Sequence, residues 1–139
     1  MKIVILEGID GSGKTTLLNE LRKKWVGEHP LFIDRFIHSN YVYEKLKGDL
    51  DLKALQDINI SIQSSCDVIT LFVVVDPVIA KKRLELKPGH EDYTVELLKK
   101  HHDLFIESFT VLKTLMFFVD GTQPVDIIVE MIMRELKLK

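Results

Sequence analysis

Residues 2–16 read KIVILEGIDGSGKTT, an apolar run followed at once by a glycine-rich turn. Gly8 and Gly13, with Lys14 and Thr15, satisfy the spacing G-x-x-x-x-G-K-[ST] of a phosphate-binding P-loop. In such a loop the backbone N–H groups converge on a phosphate at a helix N-terminus, where the helix dipole favours negative charge. Lys14 then reaches the β- and γ-phosphates, and the Thr15 hydroxyl is a ligand for Mg²⁺.

The flanking sequence gives this motif the context that it requires. An apolar strand precedes it, and three leucines with Trp25 form a helical stripe after it. The alternative is a glycine-rich turn that binds nothing. That interpretation does not explain why the motif occurs together with the strand and helix that it requires. We therefore predict a nucleoside triphosphate site made by the loop residues Gly8, Asp10, Gly11, Ser12, Gly13, Lys14, Thr15 and Thr16.

Composition and charge narrow the class of protein. The chain has 139 residues, of which 46% are hydrophobic and 29% are charged, as is typical of one globular domain with its own core. The net charge of −2 gives no basic excess for bulk nucleic-acid or membrane binding. The one cysteine, Cys66, excludes an internal disulfide and a cysteine metal cluster. No signal peptide precedes the first strand and the apolar runs are too short to cross a bilayer, so we expect a cytoplasmic protein.

Apolar runs alternate with stretches of helical periodicity along the chain. The predicted strands are residues 2–6, 31–33, 68–75 and 115–119. The predicted helices are residues 14–25, 39–47, 50–65, 77–85, 93–112 and those from 124 onward. Ser39 is expected to cap the second helix, and Asp76 followed by Pro77 to begin the fourth. Strands joined through helices pair in parallel. The predicted fold class is therefore α/β: one domain over residues 1–139, with a three-layer P-loop NTPase fold whose short, mostly parallel sheet of about four strands is flanked by helices.

Four aspartates follow predicted strands, where ligands bind in parallel sheets. Asp34 is the predicted metal residue, because a carboxylate in this place holds Mg²⁺ or its waters in P-loop proteins; a turn residue is the alternative. Arg35 beside it is predicted to clamp a phosphate, and a surface salt bridge is the alternative. Asp76 is interpreted as the helix cap, and Asp120 as a turn residue, with or without a contact to the adenine.

Charged residues surround the break after the fourth helix: Arg83, Lys87, His90 and Glu91. A mobile lid over residues 84–95 would bring a cation to a phosphoryl group in transfer. Exposed charges at a helix end are the alternative. Residues 99–102 read KKHH and are interpreted as a solvated helix face on which His101 is partly packed.

Four segments together resemble the thymidylate kinase family of nucleoside-monophosphate kinases: residues 7–16, 34–43, 74–83 and 118–121. The second of them, DRFIHSNYVY, is similar to the family's D-R-Y-x-x-S-x-x-A-Y. The resemblance implies transfer of a phosphoryl group from ATP, with Mg²⁺, to a deoxynucleoside monophosphate.

The same resemblance implies roles for individual residues. Asp10 is expected near the acceptor sugar and Arg35 at the acceptor phosphate. Asn40 is expected at the base, and Tyr43 where a ribose 2′-hydroxyl would sit, with Ser39 on the same helical face as Tyr43. The expected catalytic residues are Lys14, Asp34, Arg35 and Arg83, and the expected metal ligands are Thr15 and Asp34.

The chain departs from the family pattern in three ways. The family has an extra strand and long helices before the Asp-Arg strand, where this chain has a short turn at residues 27–30. The chain thus resembles a shortened form with an open acceptor side. Position 11 is glycine where the family has arginine, so the catalytic cation is expected from the lid. Glu44 stands where the family has an amide.

Two other functions stay open. A P-loop kinase acting on a hydroxyl, in a nucleoside or in a modified base within DNA, benefits from a carboxylate base; Asp34 or Asp10 is the candidate. A nucleotide-binding module without turnover fits the reduced lid and acceptor elements. The expected partners are small nucleotides and no membrane, with DNA only for the hydroxyl kinase. The sequence is compatible with a homodimer.

Overall fold

The computed structural model of the chain describes residues 1–90 and 92–137. The described strands are β1 (Lys2–Glu7), β2 (Leu31–Asp34), β3 (Asp67–Val74) and β4 (Met116–Asp120). The described helices are α1 (Lys14–Lys24), α2 (Ile37–Lys47), α3 (Leu52–Ser65), α4 (Pro77–Glu85), α5 (Val95–Leu112) and α6 (Val125–Lys137). Strands and helices follow one another as the periodicity predicts, with bounds that differ by about two residues at most.

The strands form one parallel sheet in the order β2-β1-β3-β4. β1 lies between two partners, with Leu6 opposite Asp34 on one side and Leu71 on the other. Each parallel connection requires a crossover, and the helices supply these. The predicted α/β fold is confirmed, and the sheet is parallel throughout.

Side chains alternate between the two faces of the sheet because successive residues of a strand point in opposite directions. Val4 and Leu6 of β1 pack with α1 and α6 in one buried cluster. Ile3 and Ile5 point to the other face, in a cluster with Val68. Helices α2, α4 and α5 pack on that second face, where their contacts include Phe72 and Phe105, both fully buried. The result is a helix–sheet–helix sandwich of three layers.

Helix starts follow the predicted capping residues at α4 but not at α2. The Asp76 carboxylate accepts the Val78 N–H at 2.8 Å and Pro77 begins α4, as predicted. The prediction that Ser39 caps α2 is wrong, because the helix begins two residues earlier, at Ile37. Ser39 therefore lies inside the first turn, and its hydroxyl donates to the carboxylate of Glu7 instead.

A buried histidine ties α2 to α5. His38 is 1% exposed, and its Nδ1 and Nε2 atoms each lie 2.8 Å from a hydroxyl, those of Ser108 and Thr114. The Ser108 hydroxyl donates to the carbonyl of Phe105, so it accepts from Nδ1–H, and Nε2 accepts from Thr114. Burial lowers the pKa of His38 to about 4, so the ring is neutral at physiological pH.

Within the described part of the chain, none of the helices combines the length and apolar character needed to span a membrane. The carboxyl ends of β1, β2, β3 and β4 meet at one edge of the sheet. The predicted site residues of the P-loop and of the Asp-Arg segment both lie there.

Candidate active site

The P-loop connects β1 to α1 and has the backbone that phosphate binding needs. Gly13 immediately precedes α1 with φ of 94°, a left-handed conformation that glycine adopts without strain. Thr15 and Thr16 are exposed at the start of α1. The first N–H groups of a helix have no intrahelical acceptor, so this terminus is suited to an anion.

Gly11 explains the departure from the family at that position. Its φ is 83°, and a Cβ atom there would lie 2.5 Å from the carbonyl oxygen of Ala80 in α4. The loop thus packs with its bare backbone against α4. A side chain at position 11 requires α4 to move, so the positive charge that the family places there has no room in this chain.

Lys14 is buried at the start of α1, with 7% of its surface exposed. Burial lowers the pKa of its ammonium, with a contribution from the Arg35 charge, while Asp34, Asp10 and Glu7 partly oppose the shift. Its Nζ lies 3.9 Å from Oδ1 of Asp34, the last residue of β2. The two predicted catalytic groups are therefore neighbours, brought together by the pairing of β1 with β2.

Arg35 joins the P-loop to α2. Its Nη2 donates to Oδ1 of Asp10 at 2.6 Å, and its Nη1 donates to Oγ of Ser39 at 3.1 Å. The guanidinium carbon lies 5.6 Å from the centre of the Tyr43 ring, a cation–π contact. Arg35 has φ of 68°, and its N–H donates to the carbonyl of Leu6 at 2.9 Å. A non-glycine residue in this conformation costs about 1–2 kcal/mol, which surrounding contacts must offset.

Tyr93 also contacts Asp10, and it was not among the predicted site residues. Its hydroxyl donates to Oδ2 of Asp10 at 2.5 Å, and its ring stacks on His90 with centroids 5.8 Å apart. The hydrogen bond to Asp10, with burial, raises the pKa of Tyr93 to about 12. Burial alone would raise the pKa of Asp10, but the Tyr93 hydrogen bond and the charges of Arg35 and Lys14 outweigh it, and the pKa is lowered. Asp10 is an anion here.

Glu7 is the second residue that sequence reasoning missed. It is fully buried at the end of β1, where Oε1 accepts the Ser39 hydroxyl at 2.5 Å and Oε2 accepts the Ser39 N–H at 3.0 Å. Burial raises its pKa, although bonds from Ser39 and Phe36 and the charge of Arg35 act against the rise. A charged residue that ends a buried strand is the sequence signal that could have found it. Ser39, predicted to face the acceptor, is only 3% exposed and makes its contacts within this network.

The other two residues predicted for the acceptor, Asn40 and Tyr43, differ in exposure, and Tyr43 contacts α5. Asn40 is exposed. Tyr43 meets the His101 ring edge-on, with centroids 5.3 Å apart. His101 is 5% exposed, which agrees with the prediction that it is packed, and burial lowers its pKa.

Arg83, one of the predicted catalytic residues, contacts the P-loop itself. Its Nη1 donates to the carbonyls of Ser12 at 3.0 Å and Gly11 at 3.3 Å, and its Nη2 donates to that of Gly121 at 2.8 Å. It lines a cavity of about 500 Å³ with loop residues 10–17, and Lys87 and His90 line the same cavity. Glu91 lies outside the described residues. Arg83, near the end of α4, therefore lies at the wall of the P-loop cavity.

The side-chain oxygen atoms available near the P-loop suit a Mg²⁺ ion that takes few of its ligands from the protein. Thr15 offers an exposed hydroxyl and Asp34 a carboxylate that is about one-third exposed. Throughout the described ranges, no three His, Cys, Asp or Glu side chains group as they would in a dedicated metal cage. Mg²⁺ in phosphoryl-transfer sites takes one or two protein oxygens, with waters and substrate phosphates for the rest. Thr15 and Asp34 fit that requirement.

Comparison with known sequences gives a match to a family model and no match to a curated protein. The family model described as thymidylate kinase matches residues 28–132. No curated protein sequence matches the chain. The family match begins after the P-loop, so the motif at residues 8–15 is a separate indication of the same class.

Solved structures with this fold include nucleotide complexes. The YorR protein of Bacillus subtilis, in complex with phosphorylated GDP, is similar with a TM-score of 0.75 and 23% identity, over 98% of this chain and 96% of that chain. Deoxyadenosine kinase from M. mycoides with bound dCTP is similar with a TM-score of 0.73 and 18% identity, over 100% of both chains. At such identities the likeness establishes the fold.

Proposed function

The chain belongs to the thymidylate kinase family and is thus a nucleotide kinase, a phosphotransferase, and we propose that it transfers the γ-phosphoryl group of ATP to a deoxynucleoside monophosphate. The observation that supports this proposal is the 2.6 Å bond between Arg35 and Asp10, because it holds a guanidinium, a group suited to binding an anion, beside the P-loop. We propose that residues 1–139 act as one P-loop kinase domain with a lid at 84–95.

On the donor side, we assign the triphosphate to the P-loop residues predicted from the motif. The N–H groups at the start of α1 and the buried Lys14 ammonium hold the β- and γ-phosphates. The cavity continues from Lys14 past Gly121 and Gln123 to Val125. That extension is the proposed place of the donor's base and sugar.

Thr15 and Asp34 would hold Mg²⁺ on the donor phosphates. The ion, when bound, neutralises charge that develops on the phosphoryl oxygens. The 3.9 Å contact between Lys14 and Asp34 supports this assignment, because it holds the ammonium and the carboxylate close together.

On the acceptor side, Arg35 is the proposed ligand of the acceptor phosphate and Asp10 of its sugar hydroxyl. Asn40 is proposed at the base and Tyr43 at the 2′ face of the sugar, with Ser39 behind Arg35. A phosphate acceptor is already anionic, so positioning and charge stabilisation suffice without a strong base. Arg83, at the wall of the P-loop cavity, is the proposed source of positive charge on the far side of the transferring group.

A second candidate is a kinase that acts on a hydroxyl, in a nucleoside or in DNA. One structural neighbour is a deoxyadenosine kinase, and that chemistry uses a carboxylate base. Asp10 already accepts from Arg35 and Tyr93, so the base would be Asp34, which is partly exposed. A module that binds nucleotide without turnover is the remaining alternative.

ADP release from MgATP separates the three candidates. The purified parent is tested with deoxy- and ribonucleoside monophosphates, with the nucleosides and with DNA, and Lys14→Ala is the control for contaminating activity. Release with monophosphates supports the proposal. Release only with nucleosides or DNA moves the assignment to the hydroxyl kinase. ATP binding without release on any acceptor identifies the binding module.

A further inference from the structure

Helix α2 begins without a capping group of its own. Its first N–H groups need acceptors from outside the helix. Phe36 holds the cap position with an apolar side chain, and within the described segment 36–47 no side chain caps this terminus. A serine or aspartate in place of Phe36 would be the ordinary solution.

Glu7 supplies the missing acceptor from β1. Its carboxylate accepts both the N–H group and the hydroxyl of Ser39. An anion near the positive end of a helix dipole is favourable, which helps to offset burial of the charge. The cap of α2 is therefore carried by the strand that leads directly into Gly8.

The Ser39 hydroxyl extends this cap to Arg35. A hydroxyl has one hydrogen and two lone pairs. Its hydrogen goes to Oε1 of Glu7 at 2.5 Å, which leaves a lone pair for Nη1 of Arg35 at 3.1 Å. Without a strong acceptor at Glu7, the hydroxyl is free to turn its hydrogen toward the guanidinium.

We propose that Glu7 is a positioning residue that acts through Ser39: it holds Arg35 and the start of α2 in register with the P-loop, so that the two substrates are aligned for transfer. This inference rests on the proposed function, since only a reaction between two bound substrates needs that register. A cap from a local residue would stabilise α2 equally but would leave its place relative to β1 unspecified.

The test compares two changes from carboxylate to amide at helix starts. Glu7→Gln keeps the shape but puts an N–H₂ group against one of the donors. Asp51→Asn is the matched control, because Asp51 caps α3 through the Ala54 N–H at 3.1 Å and contacts none of the site residues named above. Both variants are expected to lower the melting temperature.

Kinetics then separate positioning from stability. In Glu7→Gln the KM for the acceptor is expected to rise about tenfold or more, as for a lost hydrogen bond to a charged group, with KM for ATP changed less than about threefold. Asp51→Asn is expected to leave both constants at the parental values. Equal changes in the two constants of Glu7→Gln, or a lower melting temperature alone, would overturn the proposal.

The Ser39→Ala variant tests the proposed route and replaces Glu7→Gln if that chain does not fold. It keeps the Ser39 N–H on Glu7 and removes the hydroxyl that joins Glu7 to Arg35, so KM for the acceptor alone is expected to rise. The double variant is expected to be no worse than the poorer single one, since both break one path. Additive effects would show that Glu7 does not act through Ser39.

Amide hydrogen exchange tests the capping role of Glu7 independently of whether the proposed function is correct. In Glu7→Gln, faster exchange is expected at the Ser39 N–H, and not at the start of α3. Unchanged exchange there overturns the cap whether or not the parent is active. If the parent transfers phosphate to no acceptor, the proposed function fails, and faster exchange then leaves Glu7 as a cap with no part in transfer.

Discussion

The two halves of the site are built in different ways. The P-loop half is one continuous segment, residues 8–16, whose shape comes from glycine backbone and the start of a helix. The proposed acceptor half joins Asp10 of that loop to Arg35 and Tyr93, which are far apart in the chain, through side-chain bonds. A backbone cradle takes its shape mainly from its own residues. A side-chain cluster depends on every element that positions its members, so the two halves should respond differently to substitution.

Lys14→Ala should lower the rate of phosphoryl transfer more than the other substitutions below, because it removes a charge from the P-loop half of the site. Removing a preorganised charge from a transition state typically lowers kcat on the order of 10²-fold or more. ADP release with the best acceptor measures the loss. Lys24→Ala, which removes an exposed lysine of the same helix, is the control and should keep parental rates. Near-parental activity of Lys14→Ala would refute the P-loop assignment.

Low pH should weaken the contact between α2 and α5 through His38. The unfolded chain binds a proton near pH 6.5, while the buried ring stays neutral until about pH 4. Stability is therefore unaffected above pH 6.5 and falls as the pH falls through this window, by about 2 kcal/mol at pH 5. Urea unfolding at pH 7.5 and pH 5 measures the difference.

The variant His38→Gln should remove this part of the pH dependence. Burial raises the pKa of Glu7, so protonation of that carboxyl favours the folded chain as the pH falls. The two groups act in opposite directions, and the difference between parent and variant isolates the histidine. An equal loss of stability in both would show that His38 is not the group responsible.

Asp34→Asn should raise the Mg²⁺ requirement of turnover, because Asp34 lies where the two halves of the site meet. The amide keeps the shape but removes the negative charge, so the Mg²⁺ concentration for half-maximal turnover should rise on the order of tenfold. Asp76→Asn, at the position just after β3 and before α4, should leave it unchanged because Asp76 caps α4. The reverse result would transfer the metal role to Asp76.

Tyr43→Ala should have the smallest effect, limited to sugar selectivity. If the Tyr43 ring excludes a 2′-hydroxyl by its bulk, the parent prefers deoxy acceptors and the variant loses about tenfold of that preference. Paired rates with deoxy- and ribonucleoside monophosphates measure it. Tyr41→Phe is the control, since Tyr41 packs in the core and only its hydroxyl reaches Glu107. A deoxy preference unchanged in Tyr43→Ala would mean that the ring only covers the sheet.

The fold and the donor half could be predicted from sequence because their signals are local. The alternation of strands and helices follows from periodicity, and residues 8–15 carry the loop geometry in their spacing. The Asp76 and Pro77 pair marks a helix start for the same reason. Each of these features depends on neighbours within a few residues.

The acceptor half could be predicted only by resemblance, and in part. Ser39 was expected to cap α2 from a local preference, but a buried carboxylate from β1 overrides that preference. Tyr93 follows Asp10 by 83 residues, and no periodicity connects the two. Contacts between residues so far apart in the chain produce no sequence pattern, so the roles of Glu7 and Tyr93 could be identified only from the folded structure.

The central place of β1 has a consequence for the growing chain on the ribosome. The phosphate-binding sequence is complete at residue 16, but β1 gains its second neighbour only when β3 is made, up to Val74. The loop is backed by Ala80 and bridged by Arg83 to Gly121, so its support arrives later still. A nascent chain therefore carries the motif long before it carries the site. We expect an N-terminal fragment that contains the motif alone to bind no nucleotide.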